Sequence, residues 1–444
     1  MKALHLALAA LLVLPAIGAG LTVGGPTPAP PSTADAPRPT APPTPIAARP
    51  AADIHPAAGP TGAQVERSPA PPATVNALGV RRNVANRSGF VTAYVDLGPA
   101  LDAETAAASH RLETIHAVDR VEAAESDAER TERLRAELRA IEERADALGR
   151  AQGRAFAGYV DGERTAEELL LELAAIDREA RALDDRRQRL WRIANRTDAS
   201  IPDERFAALG RELDVYEGPV RARAAAAITG ETAASRFYVA AAPRNVVLAT
   251  LTGDAYLREA YRGDLRRVGE GRTSGDEAAD VVAAGYPEVW QARKETTAEG
   301  GRIARVGVDY TGGRLEALVG SGNDRVFVDE HRQSLATAGT GSTAVNTRDG
   351  LQMRVNRSYP GGAMQVVLRD TDGNRVNASV TIGPAGGQSV TVGHTGDDGE
   401  LWLLTPSQRF TVVAIRGQSV VFLTMSPLAT PEPGTTPPAR NGSG

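Results

Sequence analysis

The run FYVAAAPRNVVLATLTGDAYLREAYRGDLR, residues 237–266, holds two β-rich stretches broken at Pro243-Arg244-Asn245 and at Gly253-Asp254. Those residue types supply hairpin turns, so the run opens a sheet. Downstream, Ser274 is placed to cap a helix expected over residues 274–290, with Ala278, Val281, Val282 and Tyr286 on one face. Strands are expected at 303–309, 314–319 and 325–329, separated by Tyr310-Thr311-Gly312-Gly313 and Ser321-Gly322-Asn323-Asp324. Residues 234–335 therefore read as a small α+β domain.

Upstream, residues 76–233 read as a helical hairpin domain. From Leu101 to about Ile228 the chain is rich in Ala, Glu, Arg and Leu, with no proline before Pro202. Leu134, Leu138, Ile141, Ala145 and Leu148 follow the heptad alternation of paired helices, and so do Leu169, Leu173, Ile176, Ala180 and Leu183. Asp161-Gly162 turns the chain between them, and Thr165 with Glu168 reads as a capping box. The expected structure is an antiparallel, coiled-coil-like hairpin. Arg133 with Glu137, Arg139 with Glu143 and Asp177 with Arg181 are assigned to its solvated outer faces. Arg187 interrupts the second seam, and short helices are expected over 203–215 and 221–228. The seam also offers a route to a homo-oligomer.

Downstream, residues 336–348 read as a linker, centred on the Gly/Ser/Thr stretch 337–346. Residues 349–427 then alternate as six or seven short strands in LQMRVNRSYP, MQVVLRDTDGNRV, ASVTIG, SVTVGHTGDDGELWLL and FTVVAIRGQSVVFLTM, which implies an all-β sandwich. Asp370, Asp372 and Asn374 have the spacing of early calcium-loop ligands. Gly373 is misplaced for such a loop and Thr381 stands where its closing Glu belongs, so a hairpin turn is the reading.

The two ends differ from the middle. Residues 1–20 have the layout of a signal peptide: Lys2, an apolar run from Ala3 to Ile17, then Gly18-Ala19-Gly20 with cleavage near Ala19 or Gly20. Residues 21–75 read as a disordered Pro/Ala/Thr-rich spacer, since 15 of the chain's 29 prolines fall between Pro26 and Pro72 with almost no large apolar residue. Residues 428–444 repeat that style as a disordered tail, with no apolar stretch for a C-terminal membrane anchor. Export makes Asn86, Asn195, Asn356, Asn377 and Asn441, each in an Asn-x-Ser/Thr sequon, candidate N-glycosylation sites.

Composition narrows the chemistry. The chain has 444 residues and no cysteine, which removes disulfides, thiol nucleophiles and Cys-ligated metals. With 50 basic against 55 acidic residues and a net charge of -5, it lacks the basic excess of a nucleic-acid binder. Of the basic residues only Lys2 and Lys294 are lysine. His55, His110, His116, His331 and His394 sit in no metal or nucleophile motif, and His110 and His116 are too far apart to share a helix face. Asp329-Glu330-His331 is the nearest approach to an acid/base cluster, and its place at the end of an expected strand makes a solvated edge the simpler reading. Gly269, Gly271 and Gly275 do not match a phosphate-binding fingerprint. No catalytic, cofactor-binding or metal-binding residue is assigned, and no cofactor is expected.

The 237–266 run, with the helical segment before it and the sandwich after it, resembles a family of uncharacterised exported proteins of halophilic archaea. The chain departs from that family in being only mildly acidic. The segments VGVDYTGGRLEALV and VFVDE resemble PepSY-type domains, and the order GDDGELWLL before RFTVVA resembles carboxypeptidase-regulatory or transthyretin-like sandwiches. The signal-peptide layout and the lack of any chemical motif imply an exported, extracellular or cell-surface, non-catalytic interaction or structural protein with a protein or envelope component as partner. The alternatives are an inhibitor or chaperone-like regulator acting through the α+β domain, and an enzyme with an unrecognised site. N-terminal sequencing of secreted protein should begin within a residue or two of Gly20; an intact Met1 end would remove the export reading.

Overall fold

A strand buried on one face alternates apolar with polar residues, whereas a strand covered on both faces reads as a near-continuous apolar run. β2 (Ser235–Ala242) and β3 (Asn245–Thr252) are of the second kind. The computed structural model, which describes residues 70–81, 84–339 and 341–434, shows why. They lie in an eight-stranded antiparallel sheet with β1 (Arg87–Ala93), β4 (Ala255–Arg262), β5 (Arg293–Glu299), β6 (Ile303–Tyr310), β7 (Gly313–Gly320) and β8 (Arg325–Ser334), in the order β1-β2-β3-β4-β8-β7-β6-β5. Phe237, Val239, Ala241, Val246, Leu248 and Leu257 join one core, and Tyr238, Ala240, Val247, Ala249, Tyr256 and Ala260 join a second on the opposite face.

The first core belongs to the helices α1 (Leu97–Glu122), α2 (Asp127–Val160), α3 (Ala166–Ala194), α4 (Asp203–Asp214) and α5 (Pro219–Thr229). α2 and α3 form the expected hairpin, and all ten seam residues are buried. Gly162, at φ 83°, turns the chain. The Thr165 hydroxyl accepts from Glu168 N at 3.1 Å while the Glu168 carboxylate accepts from Thr165 N at 2.7 Å, which completes the capping box. The hairpin is not a free arm. α1 and α5 pack along α3, and Phe156 and Tyr159 carry α2 into the sheet core. Both seams are thus consumed within the chain, which corrects the expectation that a homo-oligomer forms through them. Asp177, expected on a solvated face, is buried and accepts from Gly218 N at 2.9 Å as well as from Arg181. Arg133 pairs with Glu129 rather than Glu137, and Glu137 is taken by Arg120 of α1 at 2.7 Å. Arg187, which broke the seam pattern, donates to Phe206 O at 3.3 Å and ties α3 to α4.

The second core is closed by α6 (Gly275–Gly285) and α7 (Pro287–Gln291) and by one end of the C-terminal sandwich. The single helix expected over 274–290 breaks at Tyr286, at φ -129° and ψ 59°. Pro287 disfavours a helical conformation in the residue before it, and the break turns the Tyr286 side chain inward. Residues 349–427 hold seven strands, within the expected six or seven, and an eighth comes from the expected linker: β9 (Ser342–Arg348), β10 (Leu351–Arg357), β11 (Ala363–Asp370) and β14 (Glu400–Leu404) form one sheet, β12 (Ser379–Pro384), β13 (Val390–His394), β15 (Phe410–Arg416) and β16 (Ser419–Met425) the other. β9 occupies most of the expected linker. The Asp349-Gly350 turn that pairs it with β10 has φ 48° and 76°, the two positive angles of a type I′ hairpin. Asp370 accepts from the backbone N–H groups of Asp372 and Asn374 at 3.0 and 2.9 Å, so that segment is the expected turn.

The spacer and tail are not wholly featureless where they are described. Ala77 N donates to Pro431 O at 2.8 Å, and Leu428 N to Ser358 O at 3.0 Å, so residues 74–80 and 428–434 run together across the second core. The proposed signal peptide, most of the spacer, His55 and Asn441 lie outside the described residues. Thr165→Ala removes half of the capping box and should lower the unfolding free energy by about 1 kcal/mol, read from the denaturant midpoint at unchanged slope.

Candidate functional site

Side chains alternate between the faces of a strand, and residues directly opposite on neighbouring strands share a face. In the register of β4 with β8, Arg258 stands opposite His331, Glu259 opposite Glu330 and Ala260 opposite Asp329. Arg258, Asp329 and His331 therefore gather on the face carrying the second core, and Glu259 and Glu330 on the face carrying the helices. The expectation that Asp329-Glu330-His331 is a solvated strand end is corrected. β8 continues to Ser334 between β4 and β7, and Asp329, His331 and Arg258 are 0%, 1% and 1% exposed.

On the second-core face Asp329 is a collecting point. It accepts from Arg258 Nη1 at 3.1 Å, from Leu78 N at 2.7 Å and from the Tyr286 hydroxyl at 3.0 Å. His331 Nε2 stands 3.1 Å from the same carboxylate, without the alignment of a hydrogen bond. Burial pushes the Asp329 carboxyl up, but the charges of His331 and Arg258 and the bond from Leu78 hold it below its ordinary value. Burial and the adjacent carboxylate push the Tyr286 phenol well up, which keeps it a donor. Arg258 also donates to Leu78 O and lies 5.8 Å from the Tyr359 ring centroid. Gly79 N donates to the Glu432 carboxylate at 3.0 Å and Arg262 Nη1 to Gly79 O at 3.1 Å. Beside Arg258 opens a cleft of about 420 Å³ between sheet and sandwich, with Tyr238, Ser88 and Ser407 on its walls and the two serine hydroxyls 2.6 Å apart.

On the helix face three glutamates form a row across the strands, because Glu330 lies opposite both Glu259 of β4 and Glu316 of β7. Glu259 is anchored at the start of α5, accepting from Val220 N at 2.8 Å and from Arg221 Nε at 2.8 Å. Arg221 in turn donates to Gln152 of α2 at 2.7 Å, so this pair joins two helices to the sheet. Glu316 accepts from Arg305 at 3.2 Å. Glu330, between them, lines a cleft of about 150 Å³ with Asp214, Glu217, Arg181 and Arg305. Burial, then the Glu259 charge, pushes the Glu330 carboxyl well above the usual range against Arg305. Burial also raises Asp214, and raises Glu217 to about 7 against the pull of Arg181 at 3.0 Å.

Chemically, the Asp329–His331 arrangement has the composition of an acid/base pair, but its atoms face other segments of the chain. Among the described residues no cluster of His, Asp and Glu is arranged to hold a metal ion. His110 lies 3.7 Å from Glu113, and His116 is exposed on the same helix. Asn86, Asn195 and Asn377 are exposed; Asn356 is half-buried in β10, its amide donating to Gln365 at 2.9 Å and accepting from Thr343. Sequence reasoning missed Arg258, Glu259, Arg221 and Tyr286. The signal was charge in the middle of strands that continue beyond it, as Arg258-Glu259 inside AYLREAYR and Asp329-Glu330-His331 before Gln333.

Three family models match the chain. The one described as Domain of unknown function (DUF7096) covers residues 1–233, Family of unknown function (DUF7094) covers 237–338, and the Archaeal fibronectin-III type-like domain covers 342–423. No curated protein and no solved structure matches. The last match makes the sandwich fibronectin-III-like, where a carboxypeptidase-regulatory or transthyretin-like likeness was expected. Among the described residues no helix is long and apolar enough to cross a membrane.

Arg258→Met leaves Asp329 buried without its guanidinium and should cost about 3 to 5 kcal/mol of unfolding free energy by urea titration. The raised carboxyls stabilise the fold while protonated, an effect complete below their unfolded values and lost as pH rises through about 7 for Glu217. The urea midpoint should therefore fall between about pH 5 and about pH 8, and fall less in Glu330→Gln; equal slopes in both proteins would refute the assignment.

Proposed function

This chain belongs to the family described as Domain of unknown function (DUF7096), and from that premise we propose that it is an exported, non-catalytic protein of the cell surface or extracellular space that presents contact surfaces to a partner. One observation carries the reading. The residues with the chemistry for catalysis, Asp329, His331 and Arg258, are buried and serve to hold the 74–80 segment, the helix break at Tyr286 and the central strands together. Asp329 and His331 are used as internal ties and line neither the cleft beside Arg258 nor the one beside Glu330, which supports a role for the exposed surface rather than for this pair. The fibronectin-III-like sandwich supports an interaction role, as such modules expose sheet edges and loops. The halophilic source and the secretory route belong to the same proposal and rest on the resemblance and the N-terminal pattern.

A second reading, a regulator that accepts a partner strand, is favoured by β5. It is the last strand of the eight-stranded sheet, and all seven of its residues are exposed. Its charged residues Arg293, Lys294, Glu295 and Glu299 are the kind that guard an open edge against indiscriminate pairing.

Cross-linking on intact cells at native salt, with two reagents, separates these. Lys294 is the one lysine beyond the n-region, so an amine-directed cross-link that maps to it rather than to the N-terminal amine reports on β5, while a carboxyl-directed reagent samples the helices and sandwich. One defined partner joined through carboxyl sites supports the scaffold reading, and one joined through Lys294 supports strand addition. Protein free in the medium with no partner by either reagent would contradict both.

A further inference from the structure

α1 is amphipathic twice over. Ala103, Thr114, Ala117 and Val121 bury one face against the other helices. On the opposite face Leu97, Leu101, Leu112 and Ile115 are between 46% and 75% exposed, and Ala108 is exposed among them. Tyr94 and Val95 lead into the same helix, so six of the eleven exposed large hydrophobic residues among the described residues fall within 94–115. Single exposed apolar side chains are ordinary, whereas a contiguous stripe marks a covered surface. At 1.5 Å per residue the stripe from Leu97 to Ile115 extends about 27 Å.

We propose that this stripe is the interface of a homodimer, in which α1 packs antiparallel on α1 of a second copy about a two-fold axis at Ala108. The stripe is self-complementary in both shape and charge. An antiparallel pair centred on residue 108 brings Leu101 opposite Ile115 of the second copy, with the small Ala108 at the closest approach. Glu104 and Arg111 flank the stripe on the same side, one turn to either side of the axis. The two-fold therefore sets Glu104 against Arg111 of the other copy twice. Arg111 pairs with no carboxylate among the described residues of its own chain, and it stands on the wall of a groove of about 580 Å³ between α1 and α3 floored by Ala103 and Ala107. That groove gives the second copy's flanking side chains somewhere to go. An isologous contact of this kind closes on itself at two copies. The proposal stands apart from the functional reading above, since an enzyme could dimerise in the same way.

A single helix pair lies at the small end of stable interfaces, so dissociation in the micromolar range is expected. The test is sedimentation velocity on the full mature chain, up to about 100 µM, at about 0.15 M salt where the screening length is about 8 Å. The wild type should sediment as a concentration-dependent dimer. Glu104→Arg or Arg111→Glu alone should raise the dimer dissociation constant about tenfold, and the two together should restore it. Leu101→Asp should give monomer, with a thermal midpoint equal to that of the wild type at concentrations well below the dimer dissociation constant, because the position is exposed in the single chain. A wild-type monomer at the highest concentration, or a dimer that neither charge reversal weakens, would overturn the proposal.

Discussion

The ion pair between Arg258 and Asp329 sits at the middle of an eight-stranded sheet, and the surrounding architecture follows from the need to satisfy it. Two charges taken out of water lose several kcal/mol of hydration each, and their mutual attraction offsets this only when the remaining lone pairs and N–H groups find partners. Asp329 meets that requirement with donors from three places: β4, the 74–80 segment and the break between α6 and α7. Each donor fixes the element it comes from. Leu78 N fixes an extended segment that in turn pairs with residues 431–432, and the Tyr286 hydroxyl reaches Asp329 only because Pro287 interrupts the helix. The sandwich is attached through the neighbouring Tyr256, whose hydroxyl donates to Gly361 O at 3.0 Å.

The boundaries between the matched families do not coincide with independent folding units. β1 lies within the first family's span, yet it pairs along its whole length with β2 of the second, and Phe156 and Tyr159 of α2 complete the core beneath that sheet. On the helix face, the pair formed by Glu259 and Arg221 plays the part that Arg258 and Asp329 play on the other, joining α5 and α2 to β4. Both faces of the central sheet are therefore tied to their covering elements by buried ion pairs.

The helices were legible because their signals are local. Heptad spacing, the Asp161-Gly162 turn and the Thr165/Glu168 box each depend on residues within a few positions of one another. The order of domains was legible from the change of periodicity near Phe237. The buried charges were not, because burial of Asp329 is decided by Leu78, Tyr286 and Arg258, which are between 43 and 251 residues away. A charged triplet at the end of an apolar run looks the same whether the strand stops or passes beneath another segment. β9 was missed for a different reason: its Ser/Thr/Asn composition resembles a linker, although Asp349-Gly350 after it carries a hairpin signal. The docking of the 428–434 segment was illegible because it rests largely on backbone groups, with Glu432 and Asn76 the side chains that hydrogen-bond across it.

If Asp329 holds these segments together, the amides of the 74–80 segment must open only when the sheet opens. Native-state hydrogen exchange measures this directly. The amides of Ala77, Leu78 and Gly79 should share the opening free energy and denaturant dependence of the β4 and β8 amides, as members of one cooperative unit. Exchange of those three amides through a low-energy local opening, with β4 and β8 still protected, would contradict the role given to Asp329.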